Sequence, residues 1–538
     1  MTLPENGFLH RGDALHKINS QIYWDIIVVG GGATGLGVAV DAASRGYSTL
    51  LLEQSDFAKG TSSRSTKLAH GGVRYLAQGN IGLVYNALRE RGIMLKNAPH
   101  IVKKQAFIIP CYSMLSKLKF LIGLKFYDWL SGRFSFGSSK FITRQEMKEL
   151  MPEIKRSKLK GGVKYYDGQF DDARFAINLA ETCVANGGTV INYCKVKRLL
   201  KKDGKVNGVV AFDVENENEY ELKAKAIINA TGVFVDNILH LDDPESKPIV
   251  KPSQGVHLVF NKSFLNGSSA LMIPETNDGR VLFAVPWHNH VLVGTTDTPL
   301  DKQTLEPKAL EEEINFILKT IKQYFSKPVE RKDVLSVFAG LRPLAAPQKE
   351  TDSTKEISRD HKLIVSASGL ITITGGKWTT YRKMAEATVD KAVEISDLEM
   401  VASKTADLPL HASKKIEGND EYSFSVYGSD YENIVALTKE DVSLKNKIVE
   451  GLPYIQAEII WAARNEMART VEDFLARRIR LLFLDAHAAI KAAPVVADIM
   501  AKELGKNEQW KYEQLENFNL LAKNYLLEYY QEKVVTNN

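Results

Sequence analysis

The stretch DIIVVGGGATGLG, residues 25–37, decides the fold of the first part of this chain. Its first half is a short apolar run rich in β-branched residues, which is typical of a buried parallel strand. Its second half places Gly30-x-Gly32-x-x-Gly35 at the start of a helical pattern that stops at Arg45-Gly46. The run STLLLE, residues 48–53, predicts the next strand, so these residues form one β-α-β unit.

The glycine spacing predicts a dinucleotide site at the start of this helix. Glycines there allow a tight turn and close approach of the backbone to a pyrophosphate, which the free N–H groups of the helix N-terminus then face. Glu53 follows about 20 residues later, where its carboxylate can accept from a ribose 2′-OH. The same carboxylate would repel a 2′-phosphate, so NADP is disfavoured, while NAD and FAD both fit the unit.

The next polar stretch favours FAD over NAD. It reads TSSRSTKLAHGGVRYL, residues 61–76, and combines hydroxyls, cations and paired glycines. A nicotinamide dehydrogenase usually builds its site from the following β-α units, whereas a flavin needs scattered loops along its ribityl chain and ring. A strand that runs into NATG, residues 229–232, supplies a second such loop.

The composition is typical of a folded protein with several domains. The chain has 538 residues, of which 44% are hydrophobic and 25% charged, which suggests two to four domains. Three cysteines without a CxxC pair indicate a reducing compartment and neither a disulfide framework nor a zinc site. No apolar leader and no run of about 18 apolar residues is present, so we expect neither a secretory signal nor a transmembrane helix.

Three regions follow from the pattern of apolar residues. Residues 251–300 alternate apolar and polar positions, as strands of an antiparallel sheet do, and after Pro409 helical segments replace strands. We expect an α/β fold in which a Rossmann-like FAD-binding domain is joined by an antiparallel-sheet substrate domain and a C-terminal α-helical domain. The expected boundaries are 20–110, 160–250 and 335–400 for the FAD-binding domain, 111–159 and 251–334 for the substrate or cap domain, and 401–538 for the helical domain.

Residues 113–134, SMLSKLKFLIGLKFYDWLSGRF, form a basic and apolar segment. The region from Lys96 to Lys164 holds fifteen Lys/Arg against four Asp/Glu. Basic residues beside bulky apolar ones suit a helix that lies on an anionic membrane surface, although a core helix with a solvated rim gives the same composition. Nucleic-acid binding is disfavoured because the aromatic residues lie among aliphatic ones rather than between cations.

Motifs along the whole chain, in the same order, resemble those of the FAD-dependent, quinone-linked glycerol-3-phosphate dehydrogenases. They are GGGATGLG with Glu53, TSSRSTKLAHGGVRYL, DDAR at 171–174, NATG, AGLRPL at 339–344, SRD at 358–360, GGKWTTYRKMAE at 375–386 and ARTVEDFLARRIRLLF at 468–483. The resemblance covers about residues 22–530. The chain departs from it in an N-terminal extension and in His361, where some relatives carry Tyr, and it lacks both the calcium-binding extension and the large oxidase insertion.

The resemblance implies oxidation of sn-glycerol 3-phosphate to dihydroxyacetone phosphate by hydride transfer to flavin N5, with electrons passed to a membrane quinone. It implies a peripheral protein on the cytoplasmic side of the membrane, and it leaves the oligomeric state open, a homodimer included. The alternatives are an oxygen-using glycerol-3-phosphate oxidase, another FAD-dependent oxidase of amino acids or amines, and a non-catalytic flavin-binding protein.

The substrate site implied by the resemblance is cationic. Arg342 and Arg359 are the leading phosphate ligands because a guanidinium fork matches phosphate oxygens, and Arg74, Tyr75 and Lys377 join them. His257 becomes the preferred general base, although a lone histidine on a strand is more often a core residue. Lys377 or Arg342 could instead stabilise the alkoxide, so the assignment of the base among these three stays open.

The cofactor residues follow from the same motifs. They are Gly30, Gly32, Gly35, Glu53, Thr61, Ser62, Ser65, Lys67, Leu68, His70, Gly71, Gly72, Val196, Ala230, Thr231, Gly232, Gly340, Gly376, Lys377 and Thr379. No metal site is expected, because His288-x-His290 has no third ligand at a useful spacing and is interpreted as surface.

Overall fold

The computed structural model of the chain describes residues 7–77, 79–274, 276, 279–345, 361–415 and 422–531. Its strands, numbered in chain order, are β1 (Tyr23–Val29), β2 (Thr49–Leu52), β3 (Leu68–Ala69), β4 (Val102–Cys111), β5 (Lys140–Ile142), β6 (Gly161–Phe170), β7 (Thr189–Ile191), β8 (Cys194–Lys202), β9 (Lys205–Asp213), β10 (Asn218–Asn229), β11 (Val250–Asn261), β12 (Ala270–Ile273), β13 (Leu282–Trp287), β14 (His290–Gly294), β15 (Thr298–Pro299), β16 (Val334–Ala345), β17 (His361–Val365) and β18 (Ile371–Gly375).

The α-helices of the same residues are also numbered in chain order. They are α1 (Arg11–Ser20), α2 (Ala33–Ser44), α3 (Val73–Ala77), α4 (Ile81–Asn97), α5 (Met114–Ser131), α6 (Arg144–Leu150), α7 (Asp172–Ala185), α8 (Val235–Asp242), α9 (Glu311–Tyr324), α10 (Tyr381–Ile395), α11 (Tyr422–Ser425), α12 (Tyr431–Glu440), α13 (Ala457–Asn465), α14 (Leu481–Leu484), α15 (Ala486–Glu503), α16 (Glu508–Ala522) and α17 (Glu528–Gln531).

The first sheet is built around the predicted β-α-β unit. Its strand order is β17-β18-β10-β1-β2-β7, with β9 paired to β10 and β8 paired to β9. The pairs from β18 to β7 are all parallel, and the strand β1 at their centre is an almost wholly buried apolar run. Helix α2 packs between α7 and α10 on this sheet. Because the central strands are parallel, their carboxyl ends meet at one edge.

The second sheet is largely antiparallel and has the order β15-β11-β14-β13-β12-β4-β6-β3, with β16 paired to β11 and β5 to β6. It differs from the expected division in four places. The strands β3, β4, β6 and β16 belong to this sheet, although residues 68–69, 102–110, 161–170 and 335–345 were assigned to the FAD-binding domain. Strand β16 pairs with β11, β4 pairs with β6 and β12, and β6 also pairs with β3 and β5. Several of these partners lie far away in sequence, and alternation alone does not specify them.

The region after residue 401 is helical, as predicted, and its core is formed by α13 to α16. Thr470 and Asp473 cap each other's backbone N–H groups, as the sequence indicates. Pro494 lies inside α15 rather than at its start. Gly505 follows the end of that helix with a φ of +62°, which is the left-handed conformation that suits glycine.

Helix α5 coincides with the basic and apolar segment and packs on the outer face of the second sheet. Its inner face buries Leu124, Tyr127 and Ser131, and its other face leaves large apolar side chains exposed to solvent. Nowhere in the described ranges does a helix combine the length and the apolar character that crossing a bilayer requires.

Candidate functional site

A cavity of about 740 Å³ lies where the two sheets meet. One end is formed by the loops that follow β1, β2, β10 and β18, at the carboxyl edge of the first sheet. The other end is formed by β11, β16 and the loop after β14, which belong to the second sheet. This is the position at which open α/β sheets bind their ligands, and the volume is in the usual range for a cofactor site.

The glycines of the fingerprint bring strand and helix into direct contact. Gly30 has a φ of +110°, and an added Cβ would lie 2.8 Å from the carbonyl oxygen of Ala230. A Cβ on Gly35 would lie 1.9 Å from the carbonyl oxygen of Gly30, so Gly35 serves helix–strand packing. Because side chains are excluded here, a pyrophosphate can approach the backbone at the start of α2.

Two polar side chains support this cradle. Ser62 Oγ accepts a hydrogen bond of 2.9 Å from the N–H of Ala33 at the start of α2. The carboxylate of Glu53 accepts from the N–H groups of Gly31, at 2.6 Å, and Ser55, at 2.9 Å. Burial raises the pKa of Glu53 and these two donors oppose the rise. Glu53 therefore orders the loop after β2, and its remaining lone pairs can serve a ribose hydroxyl.

The other residues expected at the cofactor line this cavity, apart from Gly35, Lys67 and Gly71. The expectation for Lys67 needs correction, because its ammonium is fully buried against Asp172 at 2.7 Å and the carbonyl oxygen of Ser63 at 2.6 Å. Gly71 instead donates its N–H to the hydroxyl of Tyr127 at 2.8 Å, behind the cavity wall. The glycine cradle and the long lined cavity together fit FAD.

Gly255 and Gly294 make room for the side chains of Arg342 and His257 at the end of the cavity formed by the second sheet. Ser253, Gly255 and His257 alternate along β11 and so share one face. A Cβ on Gly255 would lie 2.3 Å from Nη2 of Arg342, and a Cβ on Gly294, the cross-strand neighbour of His257, would lie 2.3 Å from its Cδ2. The guanidinium and the imidazole therefore occupy the spaces that these missing side chains leave.

Arg342 is held in one orientation by groups around the cavity. Nη1 donates to the carbonyl oxygen of Gln254 at 3.3 Å and to Asp297 Oδ1 at 3.2 Å. Nη2 donates to Thr295 Oγ1 and to the carbonyl oxygen of Thr296, both at 3.0 Å. A guanidinium fixed in this way needs little further ordering to bind an anion.

Lys377 and Tyr75 meet in the wall of the cavity. The ammonium of Lys377 lies 3.7 Å from the centre of the Tyr75 ring, and both residues line the cavity. Arg74 lies in α3, next to Tyr75. Arg359 lies outside the described residues, so its expected role as a phosphate ligand stays a prediction.

His257 is almost completely buried, with 2% of its surface exposed. Burial, and then the charges of Lys67 and Arg342, hold the pKa of this imidazole well below its usual value. The ring is therefore neutral at neutral pH. Within the described part of the chain, its hydrogen-bond partner is Thr66, whose Oγ1 lies 3.0 Å from Nε2.

Sequence reasoning missed several residues at this end. Thr66, Thr295, Asp297 and Arg280 also line the cavity. Thr66 lies inside the stretch 61–76, but the hydrogen bond to a histidine 191 residues away has no local signal. Asp297, in the loop after β14, forms an ion pair with Arg342. No sequence pattern around a single aspartate predicts such a pairing.

The C-terminal helical region closes the back of the cofactor loop with buried charges. Arg477 Nε and Arg478 Nη1 donate to Asp56 Oδ2, at 2.5 and 2.9 Å. Arg480 Nη2 donates to the carbonyl oxygen of Ser63 at 2.8 Å and to Asp172 at 3.0 Å. The motif ARTVEDFLARRIRLLF thus fixes the loop that lines the cavity.

Two histidine clusters lie away from the cavity. The interpretation of His288 as a surface residue was wrong, since its Nε2 lies 2.7 Å from Asp171 Oδ2 and its side chain is 8% exposed. His411 lies 2.9 Å from Asp430, and their ligand atoms come within 4.8 Å of a carboxylate oxygen of Glu181. Since His411 and Asp430 form an ion pair when the ring is protonated, the arrangement needs no ion to explain it.

Comparisons with known proteins agree with this geometry. Residues 25–382 match the family model described as FAD dependent oxidoreductase, and residues 372–511 match the C-terminal domain of alpha-glycerophosphate oxidase. The mitochondrial glycerol-3-phosphate dehydrogenase of Schizosaccharomyces pombe is 38% identical over 92% of this chain and 86% of its own length. That of Rattus norvegicus is 40% identical over 93% of this chain and 73% of its own length.

Solved structures extend the comparison. The glycerol-3-phosphate dehydrogenase from Bacillus halodurans, complexed with FAD, matches 96% of this chain and 97% of its own with a TM-score of 0.78 at 30% identity. The L-alpha-glycerophosphate oxidase from Mycoplasma pneumoniae, with a TM-score of 0.53 at 18% identity, shares the fold.

Proposed function

Since the chain belongs to the FAD-dependent glycerol-3-phosphate dehydrogenase family, we propose that it oxidises sn-glycerol 3-phosphate to dihydroxyacetone phosphate and passes the electrons to a membrane quinone. The observation that carries this proposal is the joint position of Arg342 and His257 at one end of a cavity whose other end is the glycine cradle for FAD. An anion-binding group and a neutral base beside a flavin are what the oxidation of a phosphorylated alcohol requires. When bound, FAD supplies the hydride acceptor at N5.

Arg342 binds the phosphate of the substrate in this proposal. Its guanidinium is already oriented by Gln254, Thr295 and Thr296, and Asp297 balances its charge before the substrate arrives. Lys377, whose ammonium lies over the Tyr75 ring in the cavity wall, adds a second cation, and Arg74 and Arg359 complete the set by resemblance. A cationic site of this kind selects phosphorylated alcohols over the amino acids and amines that related flavin oxidases use.

His257 receives the hydroxyl proton of the substrate. Burial and the charges of Lys67 and Arg342 keep the imidazole neutral at working pH, so one ring nitrogen carries a lone pair. Once the substrate phosphate is bound near Arg342, its negative charge offsets the cations that disfavour an imidazolium. Binding of substrate thus makes His257 a stronger base at the time when a base is needed.

Helix α5 is the surface that we assign to the membrane. Leu115, Ile122 and Trp129 are spaced seven residues apart and are 78%, 62% and 72% exposed, so they project from one face of the helix. Lys119 and Lys125 are exposed beside them. Apolar side chains flanked by cations suit the surface of an anionic bilayer, where a reduced flavoprotein meets a quinone.

The reaction is tested by an anaerobic absorbance titration of the purified holoenzyme with glycerol 3-phosphate. We expect stoichiometric bleaching of the flavin and recovery of the oxidised spectrum on addition of a short-chain quinone. Bleaching by amino acids or amines instead would contradict the substrate. Rapid reoxidation by oxygen with one peroxide per substrate, and none by quinone, would identify an oxygen-using oxidase.

The membrane surface is tested by co-sedimentation with vesicles of phosphatidylcholine and phosphatidylglycerol. Ile122→Glu and Trp129→Glu should each release the protein into the supernatant while the flavin spectrum is unchanged. Leu520→Glu is the matched control, because Leu520 is 68% exposed on α16. Equal sedimentation of all variants and the parent protein would exclude α5 as the contact.

A further inference from the structure

Thr66 and His257 meet in the wall of the cavity. Its hydroxyl oxygen lies 3.0 Å from Nε2 of His257, and Thr66 itself is half-buried in the cavity wall. Around the imidazole, Phe338 stacks on one face at 4.9 Å and the backbone of Gly294 packs at the edge. The ring therefore has few routes by which a proton can reach it.

The two ring nitrogens differ in access. Nδ1 is shielded from solvent and makes no hydrogen bond with any group in the described ranges. Nε2 has Thr66 Oγ1 as its hydrogen-bond partner. Of the two ring nitrogens, Nε2 is therefore the one that faces a hydroxyl of the cavity wall. A threonine hydroxyl can donate and accept at once, which a relay needs.

Thr66 is held rigidly by its neighbours. Ser65 donates to Asp172 Oδ2 from its backbone N–H, at 3.1 Å, and from its hydroxyl, at 2.7 Å. Lys67 donates to the same carboxylate oxygen from the other side of Thr66, at 2.7 Å. Arg480 contacts the second oxygen of Asp172 at 3.0 Å, so the residues on either side of Thr66 both bind one buried carboxylate, Ser65 through its backbone N–H and hydroxyl and Lys67 through its ammonium. A pre-oriented hydroxyl is the geometric condition for proton transfer.

We propose that Thr66 is a catalytic residue that carries the substrate proton to His257. This deepens the proposed function and rests on it. The O–H bond of the substrate breaks as its proton bonds to Thr66 Oγ1, and the former Thr66 proton bonds to His257 Nε2. The electron pair of the substrate C–H bond leaves as the hydride that the bound FAD accepts. A ketone and an imidazolium remain, and the hydroxyl of Thr66 is restored.

The charges around His257 define its resting state. Lys67 and Arg342 lower the pKa of the ring and disfavour the imidazolium, while Asp172 and Asp297 pair with these two cations. The imidazole therefore rests in the neutral form, and it becomes a better proton acceptor when the substrate phosphate offsets these cations. The relay also specifies the tautomer, because Nε2 must offer its lone pair to Thr66 and Nδ1 must carry the hydrogen.

The test compares Thr66→Val, which keeps the shape, with Thr66→Ser, which keeps the hydroxyl. With glycerol 3-phosphate and saturating quinone we expect Thr66→Val to lower kcat about 100-fold, with KM within a few-fold of the parent. Thr66→Ser should restore kcat to within a few-fold. Thr320→Val, at a buried threonine of α9 that bonds only to its own helix, controls for loss of a hydroxyl in general.

A second measurement does not depend on turnover. In ¹⁵N spectra of the imidazoles, with His257→Gln used for assignment, Nε2 of His257 should be unprotonated and should shift in Thr66→Val but not in Thr320→Val. An unchanged kcat in Thr66→Val, an equal loss in Thr66→Ser, or a protonated Nε2 in the resting enzyme would overturn the relay. If glycerol 3-phosphate fails to bleach the flavin of the parent enzyme, the proposed function fails, and the ¹⁵N result still decides whether Thr66 binds Nε2.

Discussion

The guanidinium of Arg342 lies across β11 at Gly255, where an added Cβ would come within 2.3 Å of Nη2. Arg342 itself is on β16, in register with Ser253, and its side chain reaches sideways over the glycine to Thr295 and Thr296. The glycine thus decides where the cation of the site lies. The position of the Arg342 guanidinium therefore depends on the absence of a side chain at Gly255.

Gly255→Ala should therefore weaken substrate binding while leaving the fold and FAD in place. The methyl group pushes Arg342 out of its hydrogen bonds, and the loss of a charged hydrogen bond of about 1.5–3 kcal/mol raises KM about 10- to 100-fold. Steady-state kinetics with glycerol 3-phosphate measure the change. Gly82→Ala, in open space on α4, is the control and should leave KM as it is. A Gly255→Ala enzyme with unchanged KM would show that Arg342 does not bind substrate.

Tyr127→Phe should destabilise the protein and disturb the loop beside the flavin. The Tyr127 hydroxyl accepts from the N–H of Gly71 at 2.8 Å and donates to Asp167 at 2.7 Å, both buried. Removing it leaves two polar groups unsatisfied, which costs about 2–4 kcal/mol in the free energy of unfolding. Thermal unfolding measures this loss, with Tyr85→Phe at an exposed position of α4 as control. Equal Tm values for the two variants would contradict the role given to this hydroxyl.

Acid should weaken the contact between the helical region and the cofactor loop. Burial raises the pKa of Asp56, but the charges of Arg478 and Arg477 outweigh burial and lower the pKa to about 2. A carboxyl whose folded pKa lies below its unfolded value of about 3.9 stabilises the fold above that value, and this stabilisation is lost as the pH falls toward 2. Denaturant unfolding between pH 7 and pH 3 should show that loss.

The same series in Asp56→Asn should lack this part of the pH dependence. At pH 7 the variant should be less stable by about 3–5 kcal/mol, because two buried guanidinium groups lose their carboxylate. Asp407→Asn is the control, since its ion pair with Lys96 is exposed and worth little. If Asp56→Asn followed the pH profile of the parent protein, the network around Asp56 would not account for acid sensitivity.

Gly30→Ala should abolish FAD binding. The φ of +110° is strained for alanine, and its Cβ would approach the carbonyl oxygen of Ala230 to 2.8 Å. The variant should purify without the flavin spectrum. Adding FAD at 100-fold above Kd should stabilise the parent apoprotein by about 2.7 kcal/mol and so raise its Tm, and the variant should lack this rise. Gly12→Ala, in open space on α1, should keep both. Full FAD content in Gly30→Ala would exclude the cradle as the pyrophosphate site.

The parts of the fold that sequence predicts well are those made by neighbours along the chain. The unit from β1 to β2 follows from one apolar run, one glycine spacing and one helical pattern within residues 25–53, and the structure has it. The composition of residues 113–134 predicts a basic and apolar helix but leaves a core helix open, and the structure exposes Leu115, Ile122 and Trp129 on α5. Such features depend on local periodicity, which a single sequence displays.

Strand partners and side-chain contacts are less accessible. Alternation in residues 251–300 identifies strands, but it does not say that β12 pairs with β4, more than 150 residues earlier. Lys67 was expected at the cofactor because of its polar neighbours, yet its partner Asp172 comes from another domain segment and takes it into the core. Composition specifies which residues are polar, whereas burial of a charge is decided by what the fold brings beside it.

The arginines that close the back of the cofactor loop have a consequence for synthesis. Asp56 meets Arg477 421 residues further along the chain, and Ser63 meets Arg480 417 residues further along. A ribosome that has completed the whole Rossmann region has not yet made these partners. The loop that lines the flavin cavity therefore gains these buried contacts only after synthesis has reached Arg480.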